Sequence, residues 1–185
     1  MAVNEQDDDE LIRKISRKDL TAFQKLVKRH ESSILNTCLN LIGNCQQAEE
    51  AAQDVFFEVY RSAAAFRHQS KVSTWIYRIA VNRSLNVIRS NKRLRWIKSL
   101  TTLEIKEFGA QQPDRLLEKK ELKHLLRTAV DSLPEKQRTA FVLNKYEHLS
   151  PNEIAEILGL STNSVEVRIH RAKKSLQKKL ASLLT

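Results

Sequence analysis

The chain has few of the residues that form turns or disulfide bonds: it has three glycines, three prolines and two cysteines in 185 residues. Scarce glycine and proline argue against a turn-rich β fold, and 41% hydrophobic residues argue against disorder, so packed helices are predicted. Cys38 lies on an apolar helical stripe, and its spacing to Cys45 suits no metal, which favours a reducing, cytoplasmic setting. Because no apolar run approaches the roughly 20 residues of a membrane span and no signal peptide is recognisable, we expect no membrane insertion.

Acidic residues are absent between Glu58 and Glu104, where the chain carries ten Arg and Lys. Within this stretch, residues 73–89 interleave cations, amides and aromatic rings. Cations neutralise phosphates, amides read base edges and aromatic rings stack on bases, so the pattern indicates a nucleic acid with some bases exposed. The net charge of +10 also favours an anionic partner. The alternative is a solvated basic helix face.

Apolar residues recur at three- and four-residue intervals along most of the chain, which predicts amphipathic helices. One helix is expected from Leu20 to Gly43, a second over residues 48–63 and a third from about Val72 to Lys92. The acidic residues 7–10 precede a short leading helix, where negative charge suits the helix dipole.

Periodicity weakens from residue 94 to residue 113, where a linker is predicted. The predicted fold is therefore all-α, with two small helical domains at residues 1–93 and 114–185 joined by a flexible linker over residues 94–113.

The C-terminal part follows the pattern of a helix-turn-helix. Residues 150–153 combine a serine cap, a proline at the first helical position and a glutamate three residues on, which is a capping box. Gly159 supplies the turn, Leu160 is predicted as a buried plug, and Ser161 is predicted to cap a last, basic helix. The core face of that helix is predicted to hold Val165, Ile169, Ala172, Leu176 and Leu180.

The opposite face of this last helix is predicted to enter the major groove of DNA. Its candidate contact residues are Asn163, Glu166, Val167, Arg168, His170, Arg171 and Lys174. Arg171 can address a guanine or a phosphate, Glu166 can accept from a cytosine amino group, and Val167 can touch a thymine methyl. Solvated surface is the alternative for Arg171 and Lys174, a salt bridge for Arg168, and a spacer role for His170.

Two basic helical modules in this order resemble the extracytoplasmic-function sigma factors, the minimal two-domain group of the sigma-70 family. Residues 48–60 are similar to the family's segment that binds the clamp helices of the RNA polymerase β′ subunit. Residues 74–82 are similar to its −10 recognition and melting helix. Residues 133–138, 154–159 and 165–172 are similar to its −35-binding domain. Glu166 is a departure, since many relatives carry a basic or small residue there, so the −35 preference does not transfer.

The resemblance implies a subunit that binds core RNA polymerase, also through the β flap, and directs it to −10 and −35 promoter elements to initiate transcription. The implied polymerase-binding residues are Glu50, Gln53, Asp54 and Glu58, for which a solvated helix face is the alternative. The implied −10 contacts are a base-capturing loop, Arg67, His68, Gln69, Ser70 and Lys71, and the helix residues Arg78, Asn82, Arg83 and Arg89. One of these arginines can instead pair with a carboxylate of the neighbouring helix.

We expect no enzymatic activity, cofactor or metal, because the five histidines fall at no metal-ligand spacing and no carboxylate cluster accompanies the basic helix. The resemblance implies an anti-sigma factor as a further partner. The alternative function is a stand-alone helix-turn-helix regulator, which leaves residues 48–60 and the acid-free stretch without a role.

Overall fold

The computed structural model describes residues 5–101 and 125–184, and within them the chain forms helices and no strand. The helices are α1 Glu5–Ser16, α2 Leu20–Ile42, α3 Cys45–Ser62, α4 Val72–Thr101, α5 described over 125–131, α6 Glu135–Lys145, α7 Pro151–Leu158 and α8 Thr162–Leu184. A 3-10 turn, Ala63–Ala65, follows α3. The all-α prediction is confirmed.

Helices α1 to α4 form an N-terminal bundle around one apolar core. Gly43 ends α2 with φ 87°, as predicted, and the Asn44 side chain caps α3 by accepting from the Gln47 N–H at 2.9 Å. Full burial of an Ile, Leu or Val side chain contributes roughly 1.5–3 kcal/mol. The largest fully buried side chains of this core are Ile12, Ile15, Leu26, Ile34, Val55, Val59 and Ile76.

Helices α5 to α8 form a C-terminal bundle that contains the predicted helix-turn-helix, α7 and α8. The Ser150 N–H donates to Glu153 Oε2 at 2.8 Å and the Glu153 N–H donates to Ser150 Oγ at 3.3 Å, which completes the capping box. Gly159, with φ 63°, ends α7. The core face of α8 is buried as predicted at Val165, Ile169, Ala172 and Leu176.

The two bundles contact each other along a surface that we call the bundle interface, where α2 and α4 meet α5, α6 and α7. Leu41, Val81 and Ile88 of the N-terminal bundle are buried in the same cluster as the C-terminal core. The sequence predicted two domains on a linker and gave no sign of this packing.

Helix α4 is longer than predicted, because it continues to Thr101 rather than ending near Lys92. No glycine or proline lies between residues 72 and 101, so nothing local stops the helix. Residues 94–101, predicted as the start of the linker, are therefore helical, and residues 102–113 lie outside the described part. Pro134 occupies the N-cap position of α6.

Candidate nucleic-acid interface

The outward face of α8 presents the predicted −35 residues to solvent. The opposite face is anchored by Val165, which is 0% exposed, so the helix has a fixed rotation about its axis. The exposed members of the predicted set are Asn163, Glu166, Val167, His170, Arg171 and Lys174. Arg168 is half-buried and lies at the edge of a cleft against the other bundle. From Asn163 to Lys174 the set spans about 16 Å along the helix axis.

The predicted base-capturing loop lies between the 3-10 turn and α4. Arg67, His68, Gln69 and Lys71 are exposed, and Ser70 is half-buried. Next to the loop, the ring of Phe66 lies with its centroid 4.7 Å from that of Trp75, at an interplanar angle of 32°. Trp75 is partly buried against the core of the N-terminal bundle and therefore supports the loop from the bundle side.

The predicted −10 arginines of α4 all contact other parts of the chain. Arg78 donates to the Glu156 carbonyl at 2.7 Å and to the Ile157 carbonyl at 3.4 Å, at the C-terminal end of α7. Arg89 pairs with Glu135 at 2.8 Å, at the start of α6.

Arg83 instead pairs with Glu58 of the neighbouring helix α3, at 3.1 Å. This is the alternative that the sequence left open for one of the arginines, and it joins a predicted −10 residue to a predicted polymerase-binding residue.

A cleft of about 600 Å³ lies between α4 and the C-terminal bundle. Asn82 is exposed and lines it, so the predicted base-reading amide faces the helix-turn-helix across open space. The cationic side chains around the cleft are Arg78, Arg89, Lys136 and Arg168. A cleft lined by four cations and one carboxylate, that of Glu135, suits an anionic ligand.

The predicted polymerase-binding residues lie on the solvent side of α3. Glu50, Gln53 and Asp54 are exposed and Glu58 is half-buried. Sequence reasoning missed Phe57, which is 61% exposed and lies on the same face, with the Arg61 guanidinium 5.7 Å from its ring. The helical spacing of Phe57 from Gln53 and Asp54 is a signal that could have found it.

A groove of about 450 Å³ between α2 and α3 adjoins this acidic face. It is lined by apolar side chains with carboxylates at its rim: Val27, Glu31, Ser32, Leu35, Glu49, Ala52, Gln53 and Phe56. An apolar floor with an acidic rim suits a partner helix that carries apolar knobs between cations.

At the bundle interface, Glu147 reaches across to Tyr77 of α4, whose hydroxyl donates to Glu147 Oε2 at 3.4 Å. Burial raises the pKa of the Glu147 carboxyl above its usual value, while hydrogen bonds from Thr37 and Tyr77 oppose the rise. Burial and the nearby Glu147 charge raise the pKa of Tyr77 to about 12, so its hydroxyl stays a donor at neutral pH. Neither residue carried a sequence signal, since the contact joins positions 70 residues apart.

A second interface contact comes from Arg127, which donates to the Leu39 carbonyl at the C-terminal end of α2, at 2.6 Å. Arg127 therefore caps a helix of the N-terminal bundle, just as Arg78 caps a helix of the C-terminal bundle. Negative partial charge at helix C-termini favours both contacts.

Two further findings concern the described part of the chain alone. It contains no helix long and apolar enough to cross a membrane. It also contains no group of three or more histidine, cysteine, aspartate or glutamate side chains placed to hold a metal ion.

The chain matches two family descriptions in the order that the sequence predicted. Residues 26–94 match Sigma-70 region 2, and residues 123–176 match Sigma-70, region 4. The RNA polymerase sigma-H factor of Pseudomonas aeruginosa is 31% identical over 190 residues, which cover 98% of each chain. The ECF RNA polymerase sigma factor SigW of Bacillus subtilis is 31% identical over 179 residues, covering 93% of this chain and 96% of its own. The chain belongs to the sigma-70 family, in its extracytoplasmic-function group.

A solved structure of CnrH in complex with the cytosolic domain of CnrY has the same fold. Its TM-score is 0.73 at 22% sequence identity, and the match covers 95% of this chain and 98% of CnrH. By the family and sequence matches the chain is a sigma factor, a class of transcription initiation protein, and its fold is the one found in CnrH.

Proposed function

We propose that this sigma factor binds core RNA polymerase through the acidic face of α3 and the groove between α2 and α3. The C-terminal bundle then reads the −35 element with α8, and the N-terminal bundle engages the −10 element with α4 and the loop 67–71. The observation that carries this assignment is the rotation of α8, whose core face is buried while its six exposed candidate residues face solvent. A recognition helix has to present its side chains in this way to enter a major groove.

The −35 and −10 roles fall on opposite sides of the bundle interface. Arg78 and Arg89 are held by α7 and α6, so binding of −10 DNA along α4 requires these contacts to open. Polymerase binding to α3 and DNA binding to α8 need no such opening, because both faces are exposed. We infer that core polymerase separates the two bundles when the holoenzyme forms.

Run-off transcription tests the function directly. Purified chain and core polymerase are incubated with a library of promoters randomised in both elements, and the transcripts are sequenced. The proposal expects transcripts from a subset that shares −10 and −35 sequences. If the chain were instead a stand-alone regulator, no transcripts would form. A specific gel shift would then be seen in the absence of polymerase.

The polymerase face is tested by Asp54→Ala. We expect a weaker pull-down of core polymerase and unchanged DNA binding by the chain, because Asp54 is exposed on α3 and the described structure gives it no fold-supporting contact. Glu10→Ala is the matched control, since it removes an exposed carboxylate from α1 on the same bundle. Equal retention of polymerase by the wild-type chain and Asp54→Ala would reject this part of the proposal.

The domain boundaries at residues 93 and 114, the anti-sigma partner, the β-flap contact and the cytoplasmic location stay predictions. CnrH, which has the same fold as this chain, was solved in complex with the cytosolic domain of CnrY. That complex supports a search for a protein partner of this chain.

A further inference from the structure

Three consecutive aspartates near the start of α1 contact one arginine and two histidines on other elements. Asp7 and Asp8 both accept from the Arg29 guanidinium of α2. Asp8 also pairs with His30 Nε2 at 2.8 Å, and Asp9 pairs with His68 Nδ1 at 3.0 Å. The sequence assigned these acids to the helix dipole alone, and the polymerase and DNA faces use none of them.

Asp8 fixes α1 firmly on the bundle. Its side chain is 2% exposed and that of His30 is 5% exposed, and Leu11, Ile12 and Ile15 of α1 are buried beside them. Removing one partner of a buried, hydrogen-bonded pair is strongly destabilising, so this contact resists displacement. The hydrogen bond that Arg29 donates to Asp7 also raises the pKa of Arg29 above its ordinary value.

His68 lies in the predicted base-capturing loop and has an uncommon backbone conformation. Its φ is 52°, in the left-handed region that residues other than glycine seldom adopt without support. Two contacts supply that support: the Asp9 carboxylate, and the Phe66 ring at 4.7 Å between centroids with an interplanar angle of 61°. Phe66 in turn lies against Trp75. The loop is therefore held from one side by α1 and from the other by an aromatic stack.

The Asp9 contact also decides which edge of the imidazole remains for DNA. A carboxylate accepts hydrogen bonds, so Nδ1 carries the proton in the Asp9 pair. The remaining ring nitrogen, Nε2, is then the one that can meet a base edge, and the His68 side chain is 39% exposed. The carboxylate itself repels a phosphate backbone, so its contribution is orientation rather than affinity.

We propose that α1 is a positioning element for the −10 loop, in which Asp9 fixes the orientation and tautomer of His68 and so sets the base preference where His68 meets the promoter. This inference rests on the proposed function, since it assigns a role to one residue of its −10 loop. Asp9 is a positioning residue and makes no contact with DNA.

The test compares Asp9→Asn with Glu10→Gln in holoenzyme on the randomised promoter library. Glu10 is the neighbouring acid on α1; it pairs with Lys14 at 2.6 Å and contributes the same charge without touching the loop. We expect Asp9→Asn to lower discrimination at one −10 position by about two- to fivefold, the range that the modest energy of one exposed side-chain pair allows, without lowering total transcript yield. Glu10→Gln should leave the base preference unchanged.

Repeating the substitution in a variant that lacks the His68 side chain separates a positioning role of Asp9 from a general loss of stability or activity. In His68→Ala the preference at that position should already be lost, and adding Asp9→Asn should change nothing further. The proposal is overturned if Asp9→Asn keeps the wild-type preference, or if it lowers all transcripts equally. It also falls if the double variant loses more discrimination than His68→Ala alone. Absence of transcripts from the wild-type holoenzyme would instead reject the proposed function, and this inference with it.

Discussion

The two candidate DNA faces of this sigma factor are held in different states. On α8 six of the seven −35 candidates are exposed, and Arg171 and Lys174 have no ion-pair partner among the described residues. On α4 the −10 candidates Arg78 and Arg89 are bonded to the other bundle, and Arg83 is paired within its own. Basic residues that the sequence made equal candidates for DNA contacts therefore differ in whether another group of the chain already binds them.

The contacts of Arg78 explain how a DNA-binding side chain is satisfied in the absence of DNA. The last carbonyls of a helix are unpaired and carry the negative end of its dipole, so they attract a guanidinium as a phosphate does. Arg78 bonds two such carbonyls at the end of α7. The carbonyls at the bundle interface thus compete with the phosphates of −10 DNA for Arg78. The strength of the interface therefore sets how readily the arginines of α4 become available to DNA.

Arg171→Ala gives the largest expected effect, because it removes an exposed cation from the open face. We expect −35 binding by the holoenzyme to weaken by about 1–3 kcal/mol, with an unchanged thermal midpoint. Lys178→Ala is the control, since Lys178 is also exposed on α8 but lies about 10 Å further from the N-terminal end that enters the groove. Affinity on duplex promoter DNA measures both, and an equal loss for the two variants would remove the special role of Arg171.

Gly43→Ala probes the bundle interface through the end of α2. Gly43 has φ 87°, and an added Cβ would lie 2.9 Å from Arg127 Nη2, so the substitution strains the backbone and displaces the capping arginine. Gly159→Ala is the matched control, because Gly159 also has a positive φ of 63° but nothing within 4 Å of an added Cβ. We expect chemical denaturation to give a loss of about 2 kcal/mol for Gly43→Ala and about 1 kcal/mol for Gly159→Ala. Equal losses would show that Arg127 adds nothing at Gly43.

Glu147→Gln gives the smallest expected effect, and its sign depends on pH. Burial raises the pKa of Glu147, so the folded chain holds this proton more tightly than the unfolded chain. The carboxyl therefore favours folding below its ordinary pKa of 4.5, and this contribution is lost as pH rises through the raised pKa. At neutral pH the charged group weakens the interface, so Glu147→Gln should raise the melting temperature by about 1–3 °C at pH 7 and leave it unchanged near pH 4.

Glu153→Gln is expected to change the melting temperature at pH 7 in the opposite direction from Glu147→Gln. Hydrogen bonds from Ser150 lower the pKa of Glu153, so its stabilising contribution is present above the ordinary pKa and is lost as pH falls. Its substitution should therefore lower stability at pH 7, and the difference from the wild-type chain should shrink in acid. A melting temperature of Glu147→Gln that falls at pH 7 would contradict the account of the interface.

The helices and the rotation of α8 were predictable because they depend on local patterns. The apolar repeat fixed which face of α8 is buried, and the capping box and Gly159 marked both ends of α7. The bundle interface was not predictable, because Arg127 and Glu147 carry no local pattern and reach Leu39 and Tyr77 only through long-range packing. For the same reason Arg78 and Arg171 were equal candidates for DNA contacts when judged from local patterns alone.

One affinity measurement tests the contrast between the −35 face on α8 and the −10 face on α4 most directly. The free chain is titrated with a single-stranded −10 oligonucleotide, and its affinity is compared between wild type and Arg127→Ala. Arg127 lies on α5, outside both candidate DNA faces, and its side chain joins the bundles at Leu39. We expect Arg127→Ala to bind the −10 strand several-fold more tightly than wild type, while its affinity for −35 duplex DNA stays the same. Equal or weaker −10 binding by Arg127→Ala would contradict it.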